Sequence, residues 1–324
     1  MDSKSLVPSA RYFQYVRLAS GVYAAIDPLT DGGLGGCNAG IVDLGDRTLV
    51  FDSGVTPRAG RELYSAAKTL TKRAPNYLVV SHYHNDHTRG SQVFRGVAEL
   101  GTTLTRELIA TKGQAELKWD RNHAASQVAE MRLLAKSKDK SDREFGAFFL
   151  HYWQGILASI PGIKLRLPDM TFDNRLIIHG SKRVVQLIAF GHGHCESDCV
   201  LFLPQEHILF CGDLLFVKCH PYLGHGDPAS LLSILDQLGG MKARVFVPGH
   251  GPLGRKKDLE ELQSYIRALS SQARRVLRKG GTEEDAASQP VPDNYADWIF
   301  ARLFYEFNMR YMFRQLAQKD GSHD

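Results

Sequence analysis

Three histidines and an aspartate fall within six residues of SHYHNDHTRG, residues 81–90, directly behind the apolar run NYLVV. Free imidazole titrates near pH ~6.5, so such a cluster repels itself when charged and is costly to bury unpaired. It needs a partner. Imidazole and carboxylate together form the ligand set of zinc, with iron and manganese as the other candidates. Alternate residues behind a strand can point to one side, so His82 and His84 are placed to grip one cation, with Asp86 and His87 reaching a second.

Two cations need more ligands than one loop supplies, and three further candidates stand at strand ends. AFGHGHCESD carries His192 and His194, HILFCGDLLF carries Asp213, and RVFVPGHGPL carries His250. Taken singly, Asp213 reads as a strand cap and His250 as a turn residue. An ionised aspartate behind LFCG is nevertheless expensive in a core unless positive charge meets it, and two cations would do so.

The elements that must position these residues alternate in type. VRLASGVYAAI and CNAGIVDLGDRTLVFDSG read as strands, with Gly45-Asp46 as a hairpin turn and Asp52 at a strand end. Thr56-Pro57 opens a helix that leads to NYLVV, a crossover that makes parallel neighbours with ligands clustered where strands end. Residues 111–162 turn helical around the mixed-charge segment KSKDKSDRE and read as an inserted helical pair. Strands resume with RLIIHG, RVVQLIAFG, CVLFLP and HILFCGDLLF. DLEELQSYIRALSSQARRVLRKGG is an amphipathic helix with a glycine stop, and Thr282 with Asp285 forms a capping box. WIFARLFYEFNMRYMFRQL reads as a terminal helix whose aromatic stripe serves core or dimer contact. The chain therefore divides into a catalytic domain over 1–275 and a C-terminal helical extension over 276–324 that packs on it.

At 324 residues, 43% hydrophobic and 23% charged, the chain can bury a large core, with disorder expected only at its ends. The net charge of +5 is modest and the basic residues read as interleaved with acids, which argues against a nucleic-acid partner. No run has the ~20 apolar residues of a membrane helix, and the N-terminus lacks a signal-peptide core, so no membrane partner and a cytoplasmic location are expected. Five cysteines in no paired framework read as reduced thiols.

Asp52, then His82, His84, Asp86 and His87, then His194, Asp213 and His250 stand in an order that resembles the metallo-β-lactamase superfamily over residues 20–270. The resemblance implies an α/β fold, a four-layer αβ/βα sandwich, with a helical insertion and C-terminal helices added. It implies a first metal on His82, His84 and His194, a second on Asp86, His87 and His250, Asp213 between them, and two Zn²⁺ with Fe or Mn as alternatives. The spacing of GHGH favours His194 over His192 as the ligand. Asp52 would orient a ligand imidazole, and Asp86 would also guide a proton. His220, Tyr222 and His225 follow Asp213 closely and are candidates for the substrate cleft. The implied activity is that of a metal-dependent hydrolase that uses a metal-bridging hydroxide to cleave an ester, thioester or lactone in a small molecule. True β-lactamases of the superfamily commonly carry cysteine or serine where this chain has Asp213. Alternatives on the same fold are a phosphodiesterase or nuclease and an iron-dependent sulfur dioxygenase. A homodimer through the terminal helix is the expected assembly if that stripe is not core.

Overall fold

The computed structural model describes residue 7, residues 10–29 and residues 34–320; the chain ends, where disorder was expected, lie otherwise outside the described residues. Strands β1 (Gln14–Ala19), β2 (Val22–Ile26), β3 (Ala39–Asp43) and β4 (Thr48–Phe51) pair antiparallel in chain order. The β3–β4 turn closes as Leu44 N–H donates to the Arg47 carbonyl at 2.8 Å, with Gly45 at φ +102°. Helix α1 (Pro57–Thr71) begins where Thr56 Oγ1 accepts Ala59 N–H at 3.2 Å and Pro57 takes the first helical position. It leads to β5 (Tyr77–Val79), the short ligand-bearing α2 (Asn85–Thr88) and β6 (Ala98–Thr102). A helical excursion follows: α3 (Thr103–Leu108), a π-helical turn over Ile109–Gly113, α4 (Gln114–Leu134) and α5 (Lys140–Ser159), before β7 (Met170–Phe172). Strands β5, β6 and β7 extend the sheet in parallel from β4, giving seven strands in sequence order.

The second sheet comprises β8 (Arg175–His179), β9 (Val184–Ala189), β10 (Cys199–Leu203) and β11 (Ile208–Phe216), then, after helix α6 (Pro228–Gly240), β12 (Val245–His250). Its order is β12-β11-β10-β9-β8, antiparallel except for β11 beside β12. Helices α7 (Lys256–Arg278), α8 (Glu283–Ala287) and α9 (Glu306–Asp320) complete the chain. The sheets face each other through Phe51, Val79 and Leu100 from one and Leu187, Leu201, Phe210 and Val247 from the other. Helix α1 covers the outer face of the first sheet through Leu63, Ala66 and Ala67; α6, α7 and α9 cover the second through Leu235, Ile266 and Met309. Helix, sheet, sheet and helix make the four layers, and each fully buried large apolar side chain contributes about 1.5–3 kcal/mol.

Four features depart from the expectations. The helical excursion starts at Thr103, not 111, because Thr102 Oγ1 caps it by accepting Thr105 N–H at 2.9 Å. The boundary placed at 275 falls inside α7, whose Leu262, Ile266, Leu269 and Val276 share one core with the second sheet and α9. The terminal helix does not run from Trp298: Phe300 takes a left-handed φ of +67° and a π-helical turn over Ala301–Tyr305 precedes α9. Its aromatic stripe is therefore divided, Trp298, Tyr305 and Phe313 entering the core beside Met309 and Met312 while Phe300 and Phe304 point to the cavity described below. Finally, basic residues are not evenly interleaved, since helical spacing gathers Arg267, Arg274, Arg275 and Arg278 along one groove of α7.

Candidate metal centre

Asp52 follows β4, holds a left-handed φ of +63° and is fully buried. Its Oδ1 accepts Ser81 N–H at 2.8 Å and its Oδ2 lies 2.8 Å from His87 Nδ1, so one carboxylate ties the loop's first residue to one of its imidazoles. His82 and His84 leave the end of β5, while Asp86 and His87 ride on α2. His194 lies between β9 and β10, and Asp198 anchors that segment by accepting backbone N–H groups from Gly193, His194 and Cys195 at 3.1, 2.7 and 3.0 Å. His250 ends β12. Asp213 was expected at a strand end but lies inside β11, where a bulge around Gly212, at φ +52°, turns it toward the histidines.

Two ligand groups result, each with one ligand atom per residue and all within 4.8 Å of one another: His82, His84, His194 and Asp213, and Asp86, His87 and His250. Asp213 faces both. Its Oδ2 lies 3.3 Å from His194 Nε2 and 3.9 Å from His82 Nε2, while its Oδ1 lies 3.1 Å from His87 Nε2 and 3.4 Å from His250 Nε2. Asp86 Oδ2 stands 3.3 Å from His250 Nε2 and 3.6 Å from His87 Nε2. The exposed His192 joins neither group. Cys37 lies with Asp52 and His87, but burial pushes its thiol up to about 12, which keeps it protonated and a poor ligand.

The electrostatics sort the imidazoles. Burial, then repulsion from His87 and His84, holds His82 well below its ordinary range; burial and His194 do the same to His84, and burial takes His194 down to about 4. These three are neutral at pH 7, the form that donates a lone pair to a metal. His87 and His250 face carboxylates, and Asp213 and Asp86 outweigh the effect of burial to raise His250 to about 10. Burial would raise Asp213, but His250, His87 and His194 hold it well below the carboxylate range.

The donor set fits two divalent cations. His82 Nε2, His87 Nε2 and Asp213 Oδ1 are buried and none forms a hydrogen bond, although all converge on the same small volume. Side chains aimed at a common point without bonding one another are placed for ligands to an ion.

Around the cluster, His225 Nδ1 lies 2.9 Å from both His84 Nε2 and the Tyr83 hydroxyl. A proton on His84 Nε2 then points at His225, leaving Nδ1 free on the side of His194 and Asp213. Tyr222 and His225 line a cavity of ≈ 310 Å³ that opens on His84, Asp86, His194, Asp213 and His250. His220, placed at the cleft by sequence reading, is instead fully buried away from it, 2.9 Å from the Tyr265 hydroxyl and 3.1 Å from the Tyr295 carbonyl. The remaining walls come from α5 and the segment before α9, with Phe148, Phe149, Tyr152, Phe300 and Phe304, and from Glu116 on α4. Burial, against Arg89, raises Glu116 to about 7.

Sequence reasoning missed several residues that build this site. Asp198, Glu116 and Arg89 gave only ordinary polar signals, whereas α6 could have been found from Asp227-Pro228 and the spacing of Leu231, Ile234, Leu235 and Leu238. Arg89, 1% exposed, pairs with Asp120 of α4 at 2.5 Å and so joins the ligand loop to the helical insertion.

Position 249 is set by close approach: a Cβ there would lie 1.8 Å from Asp213 Oδ1, so glycine is what lets His250 and Asp213 face each other.

The family model of the metallo-beta-lactamase superfamily matches residues 32–250. A linear primary-alkylsulfatase of Pseudomonas sp. (strain ATCC 19151) is 21% identical over 300 residues, 86% of this chain and 54% of that protein. A metallo-beta-lactamase type 2 of Bacteroides fragilis is 28% identical over 107 residues, 32% of this chain and 43% of that protein. The chain thus spans about half the length of the curated relatives it matches. Among solved structures, a metallo-beta-lactamase from Pontibacter korlensis superposes with a TM-score of 0.56 at 22% identity, covering 79% of this chain and 99% of that one. TMB-1 superposes at 0.57 and 15% identity, covering 81% and 100%. These likenesses agree with the fold. The chain belongs to the metallo-beta-lactamase superfamily.

Proposed function

We propose that this member of the metallo-beta-lactamase superfamily hydrolyses an ester, thioester or lactone bond in a small molecule with the help of two zinc ions. The observation that carries the reading is that both ligand groups open onto one cavity, through His84, His194 and Asp213 on one side and Asp86 and His250 on the other. His82, His84, His194 and Asp213 would hold one ion, and Asp86, His87 and His250 the other, with Asp213 offering one oxygen to each. When bound, two such ions supply Lewis acidity and water acidic enough to react at neutral pH.

The chain's own residues do the rest. Asp52 fixes the ring of His87, and His225 with Tyr83 fixes the ring of His84, so ligand geometry precedes substrate binding. Asp86 lines the cavity beside His250 and is placed to carry a proton between bound substrate and solvent. The aromatic walls exclude water from the substrate's apolar part and orient its scissile bond toward the ligand cluster. A sulfate ester belongs among the substrates to be tried, since an alkylsulfatase is similar across 86% of the chain and the cavity is largely apolar. No helix among the described residues is long and apolar enough to cross a membrane, which suits the cytoplasmic setting proposed for a small-molecule substrate.

The test is elemental analysis of protein purified without added metal, followed by a panel of aryl esters, thioesters, lactones and alkyl sulfates. About two zinc per chain with turnover of one class supports the reading. A single iron per chain with no hydrolysis in the panel overturns it.

A further inference from the structure

Among the described residues, Glu116 is the one acidic residue of the cavity wall outside the ligand groups. Among the described residues it forms no ion pair, and its Oε2, sealed from solvent, accepts no hydrogen bond. Arg89 pulls on its charge from nearby but is ion-paired with Asp120 at 2.5 Å, and Lys112 is paired with Glu196. Glu116 is half-buried and lines the cavity, so its carboxyl group is placed to face a charged group of a bound ligand. The rest of the wall suits a cation too. Phe148, Phe149, Tyr152, Tyr222, Phe300 and Phe304 present six aromatic rings around the same space, with Phe149 and Phe300 6.5 Å apart and Tyr222 and Phe304 5.7 Å apart. Ring faces attract organic cations, and an acid at the rim of such a cage supplies the counter-charge.

We propose that the cavity recognises an organic ammonium group, with Glu116 as its counter-charge and the six rings as its cage. The substrate is then an ester, thioester or lactone that carries a protonated or quaternary amine. The reaction in that statement rests on the hydrolytic reading above; the recognition of the ammonium does not.

Binding is measured first, by calorimetry on the metal-loaded protein, with benzylammonium and its neutral counterpart benzyl alcohol as probes. Benzylammonium binds about tenfold more tightly than benzyl alcohol, and E116Q reduces that preference to about twofold or less. Metal content, determined on both proteins by elemental analysis, is the same. Equal affinity for the two probes in the wild-type protein overturns the proposal without reference to any variant. An unchanged preference in E116Q overturns the role of Glu116, and loss of a metal ion in E116Q reassigns that residue to the metal centre. Turnover separates the two readings. Choline phenylacetate is preferred over 3,3-dimethylbutyl phenylacetate in kcat/KM, mainly through KM, and E116Q narrows the difference. If neither ester is cleaved, nor any other substrate of the panel, the hydrolytic reading fails while the binding pair still decides the ammonium site.

Discussion

The floor and the roof of the cavity are built on different physical terms. The floor consists of strand ends and short loops in which polar neighbours orient three of the ligand imidazoles, Ser81 for His82, His225 for His84 and Asp52 for His87, while Asp198 holds the backbone at His194. His82, His87, His194 and Asp213 are at most 4% exposed. The roof is the α4–α5 pair with the segment before α9, held by half-buried aromatic contacts; α5 fully buries only Gly146 and Ile156 along its 20 residues. Only a few chemical groups can satisfy the floor, whereas many apolar residues of similar size would satisfy the roof. Reaction class is therefore a property of the floor, and what enters is a property of the roof.

Four experiments break or sharpen this contrast. The largest effect belongs to the floor. Asp213→Ala removes the carboxylate that faces both ligand groups, and kcat falls by at least about 10³-fold with loss of bound metal and little change in the circular dichroism spectrum. Wild-type rates would remove Asp213 from the centre. Next comes the joint between the regions. Asp120→Ala leaves Arg89 buried without its partner and costs about 3–5 kcal/mol in urea unfolding, whereas the Arg89→Met/Asp120→Leu pair recovers most of the loss. Equal losses in both proteins would mean that packing, not charge, makes the joint.

The third probes the return from roof to sheet, where Arg166 reaches Glu99 of β6 at 3.1 Å. Burial, against the pull of Arg166, raises Glu99 from the usual carboxylate range to about 7. The folded state thus binds this proton more tightly than the unfolded chain, so its contribution is fully present below pH ~4.5 and is lost as pH rises to ~7, about 3 kcal/mol in all. Glu99→Gln flattens that part of the stability–pH curve; a curve of unchanged slope would exclude Glu99 as its source. The smallest effect is expected in the roof itself. Phe149→Ala costs about 1 kcal/mol of stability and raises KM for bulky apolar esters several-fold while kcat changes little. A fall in kcat as large as that of Asp213→Ala would erase the distinction between floor and roof.

The same distinction governs what could be read from the sequence. His82, His84, Asp86, His87, His194, Asp213 and His250 stand out because histidine and aspartate behind apolar runs have few uses, and the structure brings all seven together. Strands β6 and β7 went unread because Ala98, Glu99, Gly101 and Thr102 give a weak strand pattern, Glu99 being tolerated inside by Arg166. Glu116 and Asp120 sit in an amphipathic helix where acids ordinarily face water, and only the folding of α4 over α2 turns them inward. His220 was misplaced because adjacency in the chain to Asp213 says nothing about direction, and β11 ends by sending it behind Tyr265 and Trp298. The break at Phe300 has no local signal, since a phenylalanine at positive φ is held by its neighbours rather than by its own preference.

The absent side chain at Gly249 sets a limit on redesign of the centre. A Cβ there would lie 1.8 Å from the Asp213 carboxylate and 2.9 Å from the Gly212 carbonyl carbon, so shortening residue 213 relieves only the nearer contact and the backbone itself still reserves position 249 for glycine.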